Sequence, residues 1–382
     1  MHSLPTEASE RPRRVDFADT PFVVIWETTQ ACDLACRHCR AEASPGRDPQ
    51  ELSTDEGKGV IEEAAAMGAP IFVLSGGDPL KRPDLEELVV AGKARGMRMA
   101  TIPAATEGLT RERIDALARA GLDQIAFSLD GSDAGDHDGF RRVEGSFDKT
   151  MNGVEWAHQA GIPLQINTCI AGWNHDHLEK MIDLVKGLGL VFWEVFFLVP
   201  TGRGRELDNV EALRCESIFE RLWRLNQEVD FIVKVTEAPH YRRFVMEKEA
   251  SEKGDGSTHE RVRHVLARPR GVGGSIGMSP QAVNSGKGFL FIDHRGNIMP
   301  SGFLPIVAGN VRNDSLAAVY RDSELFRRLR DPSLLKGRCG ACSFASVCGG
   351  SRARAYAVSG DYLGEDSLCA YDPAAASSAA AG

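Results

Sequence analysis

Short β-branched or apolar runs alternate along this chain with segments of helical spacing, and no other feature limits the possible folds so strongly. The runs are Phe22 to Glu27, Ile71 to Leu74, Met99 to Ile102, Gln124 to Ser128, Leu164 to Cys169 and Phe192 to Leu198. The helical segments between them are Ser53 to Met67, Asp84 to Arg95, Thr110 to Ala120, Phe147 to Ala160 and Asp176 to Gly187. Strands that alternate with helices build a parallel sheet with the helices outside, so six β/α repeats place the chain in the α/β class. Ser53 is positioned as the N-cap of the first helix. In barrels made of such repeats the chemistry gathers at the carboxyl ends of the strands.

The first strand runs into Cys32, Cys36 and Cys39, a C-x3-C-x2-C run that can bring three thiolates together from one loop. Three thiolates suit a cuboidal iron-sulfur cluster with one iron left free to bind a small molecule. A zinc site would need a fourth ligand, for which His38 is the neighbour available. A disulfide would need an oxidising compartment. The opening residues MHSLPTEASERPRR lack the apolar core of a secretory signal, so a reducing, cytoplasmic location is expected. No apolar run approaches the roughly 18 residues of a membrane span. A net charge of −9 and a pI near 5.7 oppose the basic field of a general nucleic-acid binder.

A second group of cysteines lies near the other end. Cys339, Cys342 and Cys348 are spaced C-x2-C-x5-C, with Cys369 further on. Four thiols are enough for a fully ligated 4Fe-4S cluster, and spacing alone admits zinc equally. Cys169 and Cys215 stand apart from both groups.

Other stretches accompany the cysteines: SGGDPL from Ser75 to Leu80, FSLDG from Phe127 to Gly131, HDGFRRVEGSF after it, and INT from Ile166 to Thr168. Together with WETTQACDLACRHCRA they resemble the radical SAM superfamily, in which S-adenosylmethionine (SAM) chelates the fourth iron of a 4Fe-4S cluster. The resemblance implies a partial (β/α)6 TIM-like barrel, and SAM contacts from Gly76, Gly77, Asp78, Ser128, Asp130, Arg141 and Asn167. Asp78 stands where the family usually has glutamate, and its shorter carboxylate departs from that pattern. Read without the resemblance, the glycine pair is a turn, Ser128 a helix cap and Arg141 a surface arginine.

FFLVPTGRG and CGGSRARAYA narrow the resemblance to the branch that modifies tetrapyrroles in alternative haem and denitrifier haem synthesis. The C-terminal part resembles the SPASM/Twitch extension, a smaller α+β domain with auxiliary iron-sulfur sites. Relatives often have cysteine where this chain has Ser301, and no cysteine lies between Cys215 and Cys339, so one auxiliary 4Fe-4S cluster is expected. The expected layout is a disordered tail over 1–19, the barrel over 20–228, a connecting region over 229–288, the Twitch-like domain over 289–372 and a disordered tail over 373–382. Ser251 to Gly288 reads as a mobile connection with one short helix. Phe289 to Ile292 and Ile298 to Pro300 flank HRGN as a hairpin.

The resemblance implies reductive cleavage of SAM to a deoxyadenosyl radical, hydrogen abstraction from the substrate, and reduced flavodoxin or ferredoxin as electron donor. Arg203, Arg205, Arg352 and Arg354 are candidate partners for tetrapyrrole carboxylates, a solvated face being the alternative. Related enzymes act on ribosomal peptides, so a peptide-modifying maturase is the second reading, although the residues ahead of the first strand are too few for a precursor-recognition domain. An iron-sulfur electron carrier would explain the cysteines but not the GGD, SLDG and INT stretches.

Overall fold

The computed structural model describes residues 16–253 and 282–375. Strands β1 (Val23–Glu27), β2 (Ile71–Ser75), β3 (Arg98–Thr101), β4 (Gln124–Ser128), β5 (Leu164–Ile170), β6 (Phe192–Phe197) and β7 (Ile232–Thr236) pair in consecutive order, all parallel. The sheet extends past the six expected repeats on both sides. β7 adds to β6, while β8 (Phe289–Ile292) pairs in parallel with the free edge of β1. Two antiparallel strands, β9 (Asn297–Met299) and β10 (Gly309–Asn310), complete a ten-stranded sheet on the β8 side. The hairpin around HRGN therefore forms, but its first strand belongs to the barrel sheet. A boundary at 289 cuts through hydrogen-bonded strands, because the apolar run Phe289–Ile292 finds a partner in β1.

Helices α1 (Thr54–Ala66), α2 (Leu85–Ala94), α3 (Arg111–Arg119), α4 (Ala134–Arg141), α5 (Ser146–Gln159), α6 (Leu178–Lys186), α7 (Ala212–Glu228) and α8 (Tyr241–Lys253) connect and follow these strands. α1 opens with a capping box: Ser53 Oγ accepts from the Glu56 amide at 3.2 Å and the Glu56 carboxylate accepts from the Ser53 amide at 2.7 Å. α7 buries Ile218, Phe219 and Leu222, whereas Leu213 in its first turn is 78% exposed.

Alternate residues of each strand point to opposite faces. Val24, Trp26, Phe72, Leu74, Met99, Phe127, Ile166 and Trp193 pack into the main core. The intervening residues form the other, inner face, which has two chemically distinct halves. Over β1 to β3 it is apolar: Ile71, Val73 and Ala100 cluster with Phe22, Val23, Ile25 and Ile102. Over β4 to β7 it is polar. Gln124 bonds to Gln165, and Gln165 Nε2 donates to Asn167 Oδ1 at 2.6 Å and to Glu194 Oε2 at 2.9 Å. Glu194 Oε1 also accepts from Lys234 Nζ at 2.7 Å and Thr236 Oγ1 at 2.6 Å. Pairing register places Ser128, Asn167, Glu194 and Lys234 in one layer across four strands.

The tails differ from expectation where they are described. Phe17 is buried and its carbonyl accepts from the Tyr320 hydroxyl at 2.8 Å, so residues 16–19 are docked rather than disordered. Residues 1–15, 254–281 and 376–382, including most of the expected mobile connection and its short helix, lie outside the described residues. Among the described residues no helix is long and apolar enough to cross a membrane.

Candidate active site

The cysteine loop leaves β1 and is tied down from several sides. Its base closes where the Cys32 amide donates to Ser44 O at 2.8 Å. The carboxyl end of α4 supplies acceptors: Ala35 N donates to Arg141 O at 3.2 Å and Arg37 N to Phe140 O at 3.1 Å. α4 itself was not expected from the sequence, since Gly135 and Gly139 depress its helical propensity. The Gly202–Glu206 turn after β6 clamps the loop from another side. Arg203 N donates to Cys39 O at 3.1 Å, its Nε to Cys36 O at 2.9 Å and its Nη1 to Ala43 O at 3.3 Å. Gly202 has φ +52°, and a Cβ there would lie 2.5 Å from the Cys39 and Arg40 carbonyls. Glycine is what lets the turn press this close.

Cys32, Cys36 and Cys39 share one small apolar cluster with Leu34 and Ala104, and Cys32 and Cys36 are buried. Each sulfur accepts a hydrogen bond: Cys32 from Leu34 N at 3.4 Å, Cys39 from Ala43 N at 3.5 Å and Cys36 from Arg141 Nη1 at 3.4 Å. Such donors favour sulfur that carries negative charge. Burial, with the neighbouring Asp78, Cys36 and Cys39, pushes the Cys32 thiol up to about 12, and a bound metal favours the thiolate. The three residues thus fit an iron-sulfur cluster. His38, the candidate fourth ligand for zinc, instead stacks on Phe140 at 4.8 Å, which stacks on Trp173 at 4.4 Å.

The glycine pair does not leave open space for a ligand above its Cα atoms. A Cβ on Gly77 would sit 2.5 Å from Gln30 O and 2.6 Å from Ala31 O, and one on Gly76 would lie 2.8 Å from Thr29 O. Gly77 N and Asp78 N donate to Thr29 O and Ala31 O at 2.8 and 2.7 Å. The GGD turn therefore lies backbone to backbone on the segment that leads into Cys32. The Asp78 side chain is buried and accepts from Leu80 N at 3.1 Å, Ala104 N at 3.3 Å and Thr106 Oγ1 at 2.5 Å. Its carboxylate joins the turns after β2 and β3.

Asp130 and Arg141 form a buried ion pair, with Asp130 Oδ1 also accepting from Cys169 N at 2.7 Å. Burial would raise the Asp130 carboxyl, but the Arg141 guanidinium, His38 and the Cys169 amide together outweigh it and hold the group below its ordinary value. Both side chains serve the protein frame, with Arg141 carrying positive charge to Cys36. Ser128 and Asn167 are paired in register at the ends of β4 and β5, on the inner face. They are the side chains of the expected SAM set that the frame leaves toward the mouth.

Two of the four arginines expected to meet substrate, Arg352 and Arg354, are fully bonded elsewhere, and the expectation is corrected for them. Arg203 holds the cysteine loop through Nε and Nη1, while its Nη2 has no hydrogen-bond partner among the described residues. Arg352 is buried, with Nη1 donating to Tyr362 O at 2.9 Å and Gly364 O at 2.7 Å, and Nη2 lying 3.7 Å from Cys339 Sγ. Arg354 pairs with Asp366 and donates to Phe197 O and Leu198 O. A guanidinium in a buried, fully bonded position cannot turn to a ligand without leaving those acceptors unpaired. Arg205 is exposed on its turn.

Cys339, Cys342, Cys348 and Cys369 line one pocket with His240, Arg338, Glu365, Asp366 and Tyr371. Gly350 N donates to Cys348 Sγ at 3.4 Å. Burial pushes the Cys348 thiol up to about 12 and the Cys369 thiol up to about 11. Four thiols around one pocket, two of them met by N–H donors, fit a fully ligated cluster. Among the described residues no three His, Cys, Asp or Glu side chains are arranged to hold a single metal ion.

Sequence reasoning missed a charged bridge at the end of β1. Glu27 pairs with Arg40 at 2.8 Å and with His294 Nδ1 at 3.0 Å, and His294 Nε2 lies 3.4 Å from Asp48. It also missed the Glu194 and Lys234 pair, for which one charged residue at an inward position of each apolar strand was the available signal.

A family model described as the radical SAM superfamily matches residues 26–185. The AdoMet-dependent heme synthase of Methanosarcina barkeri is 39% identical over 361 residues, covering 94% of this chain and 99% of that protein. A protein of the same name from Nitratidesulfovibrio vulgaris is 38% identical over 360 residues, covering 94% of each. The crystal structure of Streptococcus suis SuiB superposes with a TM-score of 0.69 at 14% identity, over 92% of this chain and 78% of that one. With a cysteine loop at the head of a parallel sheet and near end-to-end similarity to these proteins, the chain belongs to the radical SAM superfamily.

Proposed function

We propose that this radical SAM enzyme acts on an iron tetrapyrrole and removes carboxylate carbon from its side chains. The observation that carries this reading is the similarity, over almost the whole of both chains, to proteins named AdoMet-dependent heme synthase. Matches at lower identity include a Fe-coproporphyrin III synthase and a pre-heme d1 synthase. The two-sided inner face supports it. On its polar half the partly exposed Lys234 ammonium, held by Glu194, is a cation available to a substrate carboxylate.

When bound, the cluster and SAM would supply the reductive radical chemistry that removes a hydrogen atom from an unactivated substrate carbon. Cys32, Cys36 and Cys39 hold that cluster, and Arg141 and the Leu34 and Ala43 amides donate to their sulfurs. The Gly76–Gly77 backbone, Ser128 and Asn167 orient SAM, while Asp78, Asp130 and Arg203 fix the turns that carry those groups. Cys339, Cys342, Cys348 and Cys369 hold the auxiliary cluster. A propionate that loses one hydrogen atom beside the ring, then carbon dioxide and one electron, becomes a vinyl group, so the substrate needs a one-electron acceptor. The electron entering SAM comes from a small reductant of the flavodoxin or ferredoxin kind.

The test is anaerobic titration of the reconstituted protein with iron-coproporphyrin III, followed by absorbance and by deoxyadenosine release. Tight binding and stimulated release are expected. SuiB has been crystallised with a precursor peptide, so stimulation by peptides with no response to any porphyrin is the result that would overturn the reading.

A further inference from the structure

We infer that His240 donates a hydrogen bond to the auxiliary iron-sulfur cluster and thereby raises its reduction potential. The inference rests on the four C-terminal cysteines holding that cluster, and not on the identity of the substrate.

His240 lies between β7 and α8 and is fully buried, with its ring edge-on to Phe219 at 4.9 Å. Neither ring nitrogen has a hydrogen-bond partner. Nδ1 is 3.7 Å from Asp366 Oδ2, beyond hydrogen-bond range, and the Leu368 backbone interacts with the ring only weakly, short of full hydrogen-bond geometry. Asp366 is already engaged, with Oδ2 accepting from Ser351 N at 2.7 Å and Oδ1 from Arg354 Nη1 at 3.1 Å.

Even a neutral imidazole carries one N–H, and burying it unpaired incurs the whole cost of stripping its water. Buried polar groups in folded proteins are nearly always satisfied. The pocket that His240 lines is also lined by Cys339, Cys342, Cys348 and Cys369. A cluster seated on those thiolates offers sulfur acceptors to a donor in the pocket wall. Arg352 and the Gly350 amide already approach Cys339 and Cys348, so His240 adds a donor to a site that collects them.

Reduction adds negative charge to a cluster, and hydrogen bonds to its sulfurs stabilise the reduced form, which raises the potential. A raised potential suits a centre that takes up an electron. The electron given up when a propionate becomes a vinyl group is one such source.

The experiment is an EPR-monitored redox titration of the holoprotein, following the signal that added SAM leaves unperturbed. In His240→Leu that signal is expected to titrate at lower potential, with iron per chain and the SAM-sensitive signal unchanged. His240→Asn, which restores an N–H donor, should recover part of the shift. An unchanged potential in His240→Leu at full iron content would overturn the inference. If His240→Leu fails to fold, the wild-type protein labelled with 15N-histidine decides the matter. Pulsed EPR of the reduced auxiliary cluster should reveal weak coupling to an imidazole nitrogen, and its absence would overturn the inference. Zinc at the second site would overturn both the inference and the cofactor assignment on which it rests, and metal analysis distinguishes that failure from the others.

Discussion

Arg203 donates from Nε to the carbonyl of Cys36, 167 residues earlier in the chain, at 2.9 Å. The Gly-Arg-Gly turn after β6 is thereby part of the cluster loop's foundation. Two of its three guanidinium nitrogens face the backbone that presents the cysteines.

Arg203→Ala should therefore lower iron at the first site and leave the second site filled. Loss of its charged hydrogen bonds costs on the order of 2 kcal/mol. Iron per chain and the thermal midpoint check this, and Arg203→Lys should be intermediate, since one ammonium cannot reproduce the fork.

Gly77→Ala should be worse than its size suggests. The new methyl would meet two backbone carbonyls at 2.5 and 2.6 Å, and backbone cannot step aside as a flexible side chain does. Overpacking of this kind costs roughly 1–3 kcal/mol or more. SAM cleavage and denaturant midpoints should both fall, while Gly46→Ala, with nothing within 4 Å, should be silent.

Stability should decline with rising pH through His294. Burial would lower the pKa of this ring, but Glu27, helped by Asp293 and Asp48, holds it above its ordinary value. Arg40 and Arg295, on the same carboxylates, oppose this without reversing it. A raised folded-state pKa favours the charged ring. Its contribution is complete below about 6.5, the unfolded value, and is lost as pH climbs through the folded value. Denaturant midpoints between about pH 6 and about pH 9 should fall more steeply for wild type than for His294→Gln, in which the titration is gone.

Arg354 and Asp366 are both 0% exposed. Removing one partner strands a buried charge, which typically costs about 3–5 kcal/mol. Arg354→Met should cost that much, measured by denaturation, and Arg354→Met with Asp366→Leu should recover part of it.

Much of this was legible from residue order. Short β-branched or apolar runs located six of the strands, and Ser53 as N-cap marked where α1 begins. The two cysteine groups stood out because the spacing of Cys32, Cys36 and Cys39 and of Cys339, Cys342 and Cys348 is local. What stayed hidden was non-local. The apolar run Phe289–Ile292 does not reveal that its partner is β1, more than 200 residues earlier. Arg203, Arg352 and Arg354 are visible as charges, yet a charge does not name its acceptor, and these three found backbone carbonyls and a buried aspartate. His240 carried no signal at all, because an orphaned ring nitrogen exists only once the pocket around it has formed.

The most direct measurement is anaerobic turnover with iron-coproporphyrin III, SAM and dithionite, followed by mass spectrometry of the porphyrin and quantitation of deoxyadenosine. The expected result is conversion of propionate to vinyl side chains with one deoxyadenosine per carboxylate lost, abolished in Cys36→Ala. Deoxyadenosine formed while the porphyrin returns unchanged would contradict the tetrapyrrole account.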